Sequence, residues 1–269
     1  MTDLIVTGAS RGIGRALALE LAGRPERLLL VARDGDRLAE VAAEVTRRGG
    51  RAEAVQGDLG SLAGARALGE RLAEITAPGS TLIHNAGLWP TRRSITDDGL
   101  EAAFVVNHLG PLLAQRPLIA AGSLERVMVV SAGLIALGRF DRERTPTGAD
   151  FSRLRTYCTT KLCFAAAIRE VAAAHPELDV VALHPGVVRT DLGVPRGPLG
   201  WILGLVKRLW ESPEDCARRL ARVLARPRWS PAGEARWLFE EEERPWPKPA
   251  EDPATRRAIA EVTAQLVGE

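Results

Sequence analysis

The sequence predicts an α/β protein built on a doubly wound, mostly parallel sheet of seven strands. Three observations carry that expectation. Short apolar runs alternate with longer amphipathic stretches along most of the chain. The runs are apolar at every position rather than every second one, as strands covered on both faces require. The first run leads directly into a glycine-rich turn and a helix.

The elements follow in order. DLIVT (3–7) reads as a buried strand and GIGRALALELA (12–22) has helical spacing. RLLLVA (27–32) is a second strand, followed by a polar helix from Asp36 to about Arg48 and a strand at 52–56. SLAGARALGERLAEI (61–75) is helical, TLIH (81–84) a strand, and a helix is expected from about Asp97 towards Ala121, kinked at Gly110-Pro111. RVMVVS (126–131) is the fifth strand, 132–152 an irregular connection, 153–174 a helix and LDVVALH (178–184) the sixth strand. Residues 187–211 are rich in Gly, Pro and apolar side chains and are expected to form a substrate-binding segment. SPEDCARRLARVLA (212–225) opens with a Ser cap, Pro at the first helical position and two acids in the first turn. EARWLFEEEE (234–243) supplies the seventh strand, and DPATRRAIAEVTAQLVG (252–268) reads as a terminal helix. With 269 residues and no repeat, low-complexity tract or linker, one domain over 1–269 is expected.

Composition excludes several classes. The chain is 46% hydrophobic and 26% charged, ordinary for a protein with a sizeable core. Its 36 basic and 34 acidic residues nearly balance, which gives no reason to invoke nucleic acid. No apolar stretch reaches membrane-spanning length; LGWILGLVKRLW (199–210) is too short and holds Lys207 and Arg208. Met1 is followed by no basic n-region or cleavage site, so no signal peptide is expected. Cys158, Cys163 and Cys216 have no metal-ligand spacing, and no metal is expected; an odd number of thiols suits a reducing cytoplasm. Nearly all the basic charge is arginine. Only three lysines (Lys161, Lys207, Lys248) and one tyrosine (Tyr157) are present, and the tyrosine lies four residues before Lys161.

The first strand opens into T-G-A-S-R-G-I-G (7–14). A tight turn with Gly8, Gly12 and Gly14 lets backbone approach a pyrophosphate, and the following helix N-terminus, with Ser10, Arg11 and Ile13 around it, favours negative charge. At the end of the second strand Arg33 follows Ala32. A guanidinium there suits a 2′-phosphate, with Arg11 adding to the same positive site, so NADP is favoured over NAD. Asp34, a ribose-hydroxyl acceptor by chemistry, keeps NAD open.

With TGASRGIG, HNAG (84–87) and YCTTK (157–161), the chain resembles the short-chain dehydrogenase/reductase family, from the first strand to the terminal helix. Within it, TDDGLEAAFVVNHLGPLL (96–113) and LHPGVVRTDL (183–192) look most like the retinol-dehydrogenase-like branch. The resemblance implies a Rossmann fold with ligand across the carboxyl ends of the strands. It further implies that Asp58 and Leu59 meet the adenine, and that Asn85, Ala86 and Gly87 stabilise the sheet beside the cofactor. Pro185, Gly186, Val188 and Thr190 would cradle the nicotinamide half. The branch acts on lipophilic carbonyls and alcohols, and family members often pair as homodimers through helices near 97–121 and 153–174.

Tyr157 and Lys161 stand at i and i+4, on one helix face. A phenol is a poor base at neutral pH, and a neighbouring ammonium favours its phenolate. Tyr157 can then exchange a proton with a substrate oxygen while hydride moves to or from the cofactor, with Lys161 also holding the nicotinamide ribose. Asn107, in VVNHLG, matches the family residue that holds a water in the proton relay; an amide bonding backbone is the simpler role. The serine is the doubtful member. The branch carries two serines at the end of the fifth strand, and the second is catalytic. Here Ser131 takes the first place and Ala132 the second, unless a small register change restores Ser131 as donor. Thr145, Thr147, Ser152 and Thr156 are the other hydroxyls at hand. Trp89 falls where the pocket rim is expected, together with Trp201 and Trp210. The expected activity is an NADP-dependent interconversion of a bulky, mostly apolar ketone or aldehyde and its alcohol. A cofactor-binding protein with lost turnover and a non-redox enzyme reusing the pocket stay open.

Overall fold

A computed structural model describes residues 2–188 and 211–268. Eight strands form one sheet in the order β3-β2-β1-β4-β5-β6-β7-β8. They are β1 (Asp3–Thr7), β2 (Arg27–Ala32), β3 (Arg51–Gln56), β4 (Ser80–His84), β5 (Leu124–Val130), β6 (Asp179–His184), β7 (Ala235–Phe239) and β8 (Glu242–Arg244). All neighbours run parallel except β7 and β8. The doubly wound Rossmann architecture is therefore as expected. The count is eight rather than seven, because the seventh expected strand folds back on itself. Glu240 adopts φ 59° and turns the chain, so the glutamate run pairs with the strand it follows. No glycine or asparagine marks that turn.

Among the described residues, seven longer helices pack on the sheet. They are α1 (Gly12–Glu20), α2 (Gly35–Arg47), α3 (Leu62–Ile75), α4 (102–120), α5 (Arg153–Ala174), α6 (Pro213–Leu224) and α7 (Pro253–Val267). Alternate strand residues divide the core. Val6, Leu30, Ile83, Met128, Val181 and Leu183 pack with α1, α2 and α6. Ile5, Leu29, Leu82, Val127, Val129 and Val180 pack with α3, α4 and α5. Strands apolar on both faces are the physical reason the sheet is covered twice.

Helix α4 begins at residue 102, later than expected. Glu101 caps it by accepting the Phe104 N–H at 2.9 Å, and Gly99 (φ 76°) turns the chain just before it. Its second turn, Val105–Leu109, is π-helical. Pro111 causes this: it has no N–H for the Asn107 carbonyl and its ring crowds that carbonyl, so the helix widens there. The kink expected at Gly110-Pro111 thus takes the form of a π turn centred on Asn107.

Candidate functional site

Strand order reverses between β1 and β4, and the glycine turn stands at the carboxyl end of β1 beside that gap. Gly8 (φ 70°) and Gly12 (φ 56°) hold conformations that suit glycine. A Cβ on Gly14 would lie 2.3 Å from the Gly8 carbonyl oxygen and 2.5 Å from Asn85 Nδ2. The turn is also pinned from β4. Asn85 Nδ2 donates to the Thr7 carbonyl at 2.9 Å. The Thr7 hydroxyl accepts the N–H groups of Asn85 and Ala86, each at 3.0 Å. Asn85 and Ala86 therefore brace the turn across the strand gap.

Helix α1 starts directly from this turn without a side-chain cap. Each of the other six longer helices has one, from Asp34, Ser61, Glu101, Ser152, Ser212 or Asp252. The uncapped first turn of α1 leaves backbone N–H groups facing the gap, the chemistry that accepts a pyrophosphate. The residues present fit a dinucleotide there.

At the end of β2 the basic residue and the acidic one have different surroundings. Asp34 caps α2, accepting the Arg37 N–H at 3.1 Å, and pairs with the Arg37 guanidinium at 3.3 Å. Its carboxylate is occupied by helix and ion pair. Arg33 is 70% exposed and stands 3.8 Å from Asp58. Asp58 also accepts the Gly60 N–H at 2.9 Å, and Leu59 beside it is buried. Ser10, Arg15, Arg37 and Arg47, together with Glu40 and Glu44, line a cleft of about 490 Å³.

Lys161 and Asn107 come together beyond β4 and β5, and Tyr157 stands one turn before Lys161 on α5. Lys161 Nζ donates to the Val130 carbonyl at 3.1 Å. A Cβ on Gly87 would sit 3.2 Å from Lys161 Nζ and 3.4 Å from Asn107 Oδ1, so glycine is what lets these two groups approach the strand end. Asn107 accepts the Leu88 N–H at 2.7 Å and donates to the Leu88 carbonyl at 2.8 Å and the Thr160 hydroxyl at 3.0 Å. The π turn sets this geometry: the amide fastens the backbone after His84-Asn85-Ala86-Gly87 to the helix that carries Tyr157.

Tyr157 is 7% exposed. Trp89 lies over it, ring centroids 4.2 Å apart and planes at 25°. Burial pushes the phenol up to about 12, against the lowering that sequence reasoning assigned to Lys161. The same burial brings Lys161 down to about 8. Desolvation dominates both groups, so Tyr157 is a neutral hydroxyl here.

Ser131 Oγ is buried with no hydrogen-bond partner among the described residues, while its N–H donates to the Leu183 carbonyl at 2.8 Å. Ala132 follows in extended conformation (φ −150°, ψ 142°). The alternative hydroxyls are engaged. Thr145 accepts the Asp141 N–H, Thr147 donates to the Glu143 carbonyl, Ser152 caps α5, and Thr156 accepts the Ser152 N–H.

Pro185 and Gly186 (φ 94°) leave the end of β6. Val188 forms a parallel bridge with Glu211. Thr190, Trp201 and Trp210 lie outside the described residues, as does most of the 187–211 segment. Sequence reasoning missed Thr7, Thr160 and the Trp89 stack. Thr7 and Thr160 sit inside the quoted motifs, but Thr7 bonds the backbone of Ile83, Asn85 and Ala86 and Thr160 accepts from the Asn107 amide, all distant in the chain.

The buried histidines and cysteines are packing residues. His84 donates to or accepts from Gln115 at 2.9 Å and His108 does the same with Thr263 at 2.8 Å. Burial lowers His84 to about 4 and His108 to about 3. Burial raises the thiols of Cys158, Cys163 and Cys216. An unfolded histidine titrates near 6.5. As pH falls below about 6.5 the unfolded chain binds protons that the folded chain refuses, so stability falls towards pH 4. Each histidine is expected to cost about 2 kcal/mol at pH 5 relative to pH 7.5. Urea unfolding at the two pH values measures the loss, and His108→Gln should remove about half of it.

These features define a dinucleotide-binding α/β protein with a tyrosine–lysine pair at the mouth of its sheet. The model of the short chain dehydrogenase family matches residues 3–133. A Streptomyces sp. (strain C5) protein provisionally named daunorubicin C-13 ketoreductase DnrU is 36% identical over 192 residues, covering 71% of this chain and 67% of that one. Human retinol dehydrogenase 13 is 30% identical over 292 residues, covering 98% of this chain and 84% of that one. Human dehydrogenase/reductase SDR family member 13 is 34% identical, and the match spans just 56% of its length. The chain belongs to the short-chain dehydrogenase/reductase family, in its retinol-dehydrogenase-like branch. Among solved structures, a Mycobacterium paratuberculosis protein superposes with TM-score 0.78 at 24% identity, covering 99% of this chain and 93% of that one. An alcohol dehydrogenase from Thermococcus sibiricus, complexed with 5-hydroxy-NADP, gives 0.65 at 24%, covering 91% and 99%. Among the described residues no helix is long and apolar enough to cross a membrane, and no group of three His, Cys, Asp or Glu could hold a metal.

Proposed function

We propose that the chain is an NADP-dependent oxidoreductase that interconverts a bulky, mostly apolar ketone or aldehyde and its alcohol. One observation carries this reading: Lys161 and Asn107 meet at Gly87, with Tyr157 one helical turn before Lys161 and stacked on Trp89, in a chain whose glycine turn opens a helix without a side-chain cap. The turn (Gly8, Ser10, Arg11, Gly12, Ile13, Gly14) would hold the pyrophosphate, Arg33 and Arg11 the 2′-phosphate, Asp58 and Leu59 the adenine, and Pro185, Gly186 and Val188 the nicotinamide end. When bound, the nicotinamide supplies or accepts hydride.

The chain's own groups handle the proton. Tyr157, neutral and desolvated, donates its hydroxyl proton to a carbonyl oxygen in the reducing direction. Lys161, fixed by the Val130 carbonyl, places positive charge beside the phenolate that results. Asn107 fixes Leu88 and the start of the loop that carries Trp89. The half-buried indole of Trp89 presents an apolar wall over the phenol, which supports a bulky apolar substrate. The Streptomyces relative's name, a ketoreductase, points the same way.

The test is NADPH oxidation with a panel of bulky ketones, run against NADH. NADPH is expected to be preferred. Arg11→Ala with Arg33→Ala should cut kcat/KM for NADPH by roughly 10- to 100-fold and leave NADH nearly unchanged. Equal loss for both cofactors would remove the NADP assignment. A second reading, a cofactor-binding protein with weakened turnover, is favoured by Ala132 and by the buried, unpartnered Ser131 hydroxyl. NADPH binding with no Tyr157-dependent oxidation of any carbonyl would decide for it.

A further inference from the structure

Beyond the tyrosine site, an arginine on α6 ties together two places distant in the sequence. Arg219 Nη1 donates to the Pro185 carbonyl at 2.7 Å. The same guanidinium grips Glu211 with two bonds, Nη1 to Oε2 at 2.9 Å and Nη2 to Oε1 at 2.6 Å. Its side chain is 14% exposed and that of Glu211 22% exposed. Glu240 stands 3.6 Å away on the other side, in the left-handed turn that also donates its N–H to the His184 carbonyl at 2.8 Å. Glu211 in turn pairs its backbone N–H with the Val187 carbonyl at 3.2 Å.

This fork explains Gly186. A Cβ there would lie 2.8 Å from Arg219 Nη1, 3.0 Å from Glu211 Oε2 and 3.2 Å from Glu240 Oε1, besides being strained at φ 94°. The turn after β6 is therefore shaped around the guanidinium. A surface ion pair contributes little, but a planar, bidentate and largely desolvated one sets geometry.

We propose that Arg219 is a positioning residue for the nicotinamide half of the cofactor. It fixes the Pro185 carbonyl, and through it the path of Gly186 to Val188, while Glu211 holds the guanidinium in plane. The inference rests on the cofactor reading above. It makes a prediction that reading does not: Arg219 should matter to the nicotinamide half and not to the adenosine half.

The experiment compares dissociation constants for NADPH and for 2′,5′-ADP, by fluorescence titration and calorimetry, in the full chain. Arg219→Gln should weaken NADPH about tenfold and leave 2′,5′-ADP within twofold. Arg219→Lys should recover part of the loss, because an ammonium can still donate to the Pro185 carbonyl without forking Glu211. Glu211→Gln, which keeps Arg219 and its carbonyl bond, should weaken NADPH by about threefold; it also supplies the answer if Arg219→Gln does not fold. Unchanged NADPH binding in both variants, or equal weakening of the two ligands, would overturn the inference. Wild-type chain that binds 2′,5′-ADP but not NADPH would overturn it too. Wild-type chain that binds neither ligand would instead remove the cofactor reading, and this inference with it.

Discussion

Tyr157→Phe is expected to lower kcat by about a thousandfold while the melting temperature stays near that of the wild type. The substitution removes one hydroxyl and keeps the ring. The stack with Trp89 at 4.2 Å and the burial of the ring both survive in phenylalanine, so the fold loses little. What is lost is a proton donor whose surroundings hold it neutral across the working range, since burial pushes it to about 12. General acid–base catalysis contributes roughly 10² to 10⁴ in rate, and no other hydroxyl of the 132–152 loop is free to replace it. Steady-state NADPH oxidation with the best ketone of the panel, beside thermal melting, measures both quantities. Turnover within tenfold of wild type would show that Tyr157 is not the proton donor.

Ala132→Ser is expected to raise kcat by about a hundredfold, the other large effect. Loss of one oxyanion donor costs on the order of 10² to 10³ in rate, and its return should recover much of that. The two strand-end positions are distinguished by what surrounds them. Ser131 Oγ is buried and meets no partner among the described residues, and its N–H is spent on the Leu183 carbonyl. Ser131→Ala should leave kcat within twofold and slightly stabilise the fold, because a buried hydroxyl without a partner is removed. The opposite pattern, an inactive Ser131→Ala and an indifferent Ala132→Ser, would assign Ser131 as donor.

Much of the architecture was legible because it follows from periodicity and from short motifs. Strands apolar throughout, such as Leu28 to Val31, need cover on both faces. The i, i+4 relation of Tyr157 and Lys161 is a property of any helix. Features missed from sequence arise where a long-range contact or a local exception decides. The π turn needs Pro111 to deny a bond to Asn107. The extra strand needs a glutamate in a conformation usually left to glycine. That Asp34 also caps α2 and pairs with Arg37 shows only once the helix is in place. The raised phenol could not be foreseen from Tyr157 and Lys161 alone, because it comes from tertiary burial, to which Trp89, far away in the chain, contributes one ring face.

The edges of the sheet have a consequence for how copies of this chain can meet. At one margin β8 is Glu-Glu-Arg with all three side chains exposed. At the other, β3 places Arg51, Glu53 and Gln56 along a largely exposed strand. An unpaired strand margin ordinarily invites another chain to add to it. Along β8 both acids are already paired, Glu242 with Arg244 and Glu243 with Arg236. A second strand adding at this margin would have to displace exposed ion pairs before backbone bonds could form, so charged side chains guard the edge of the sheet.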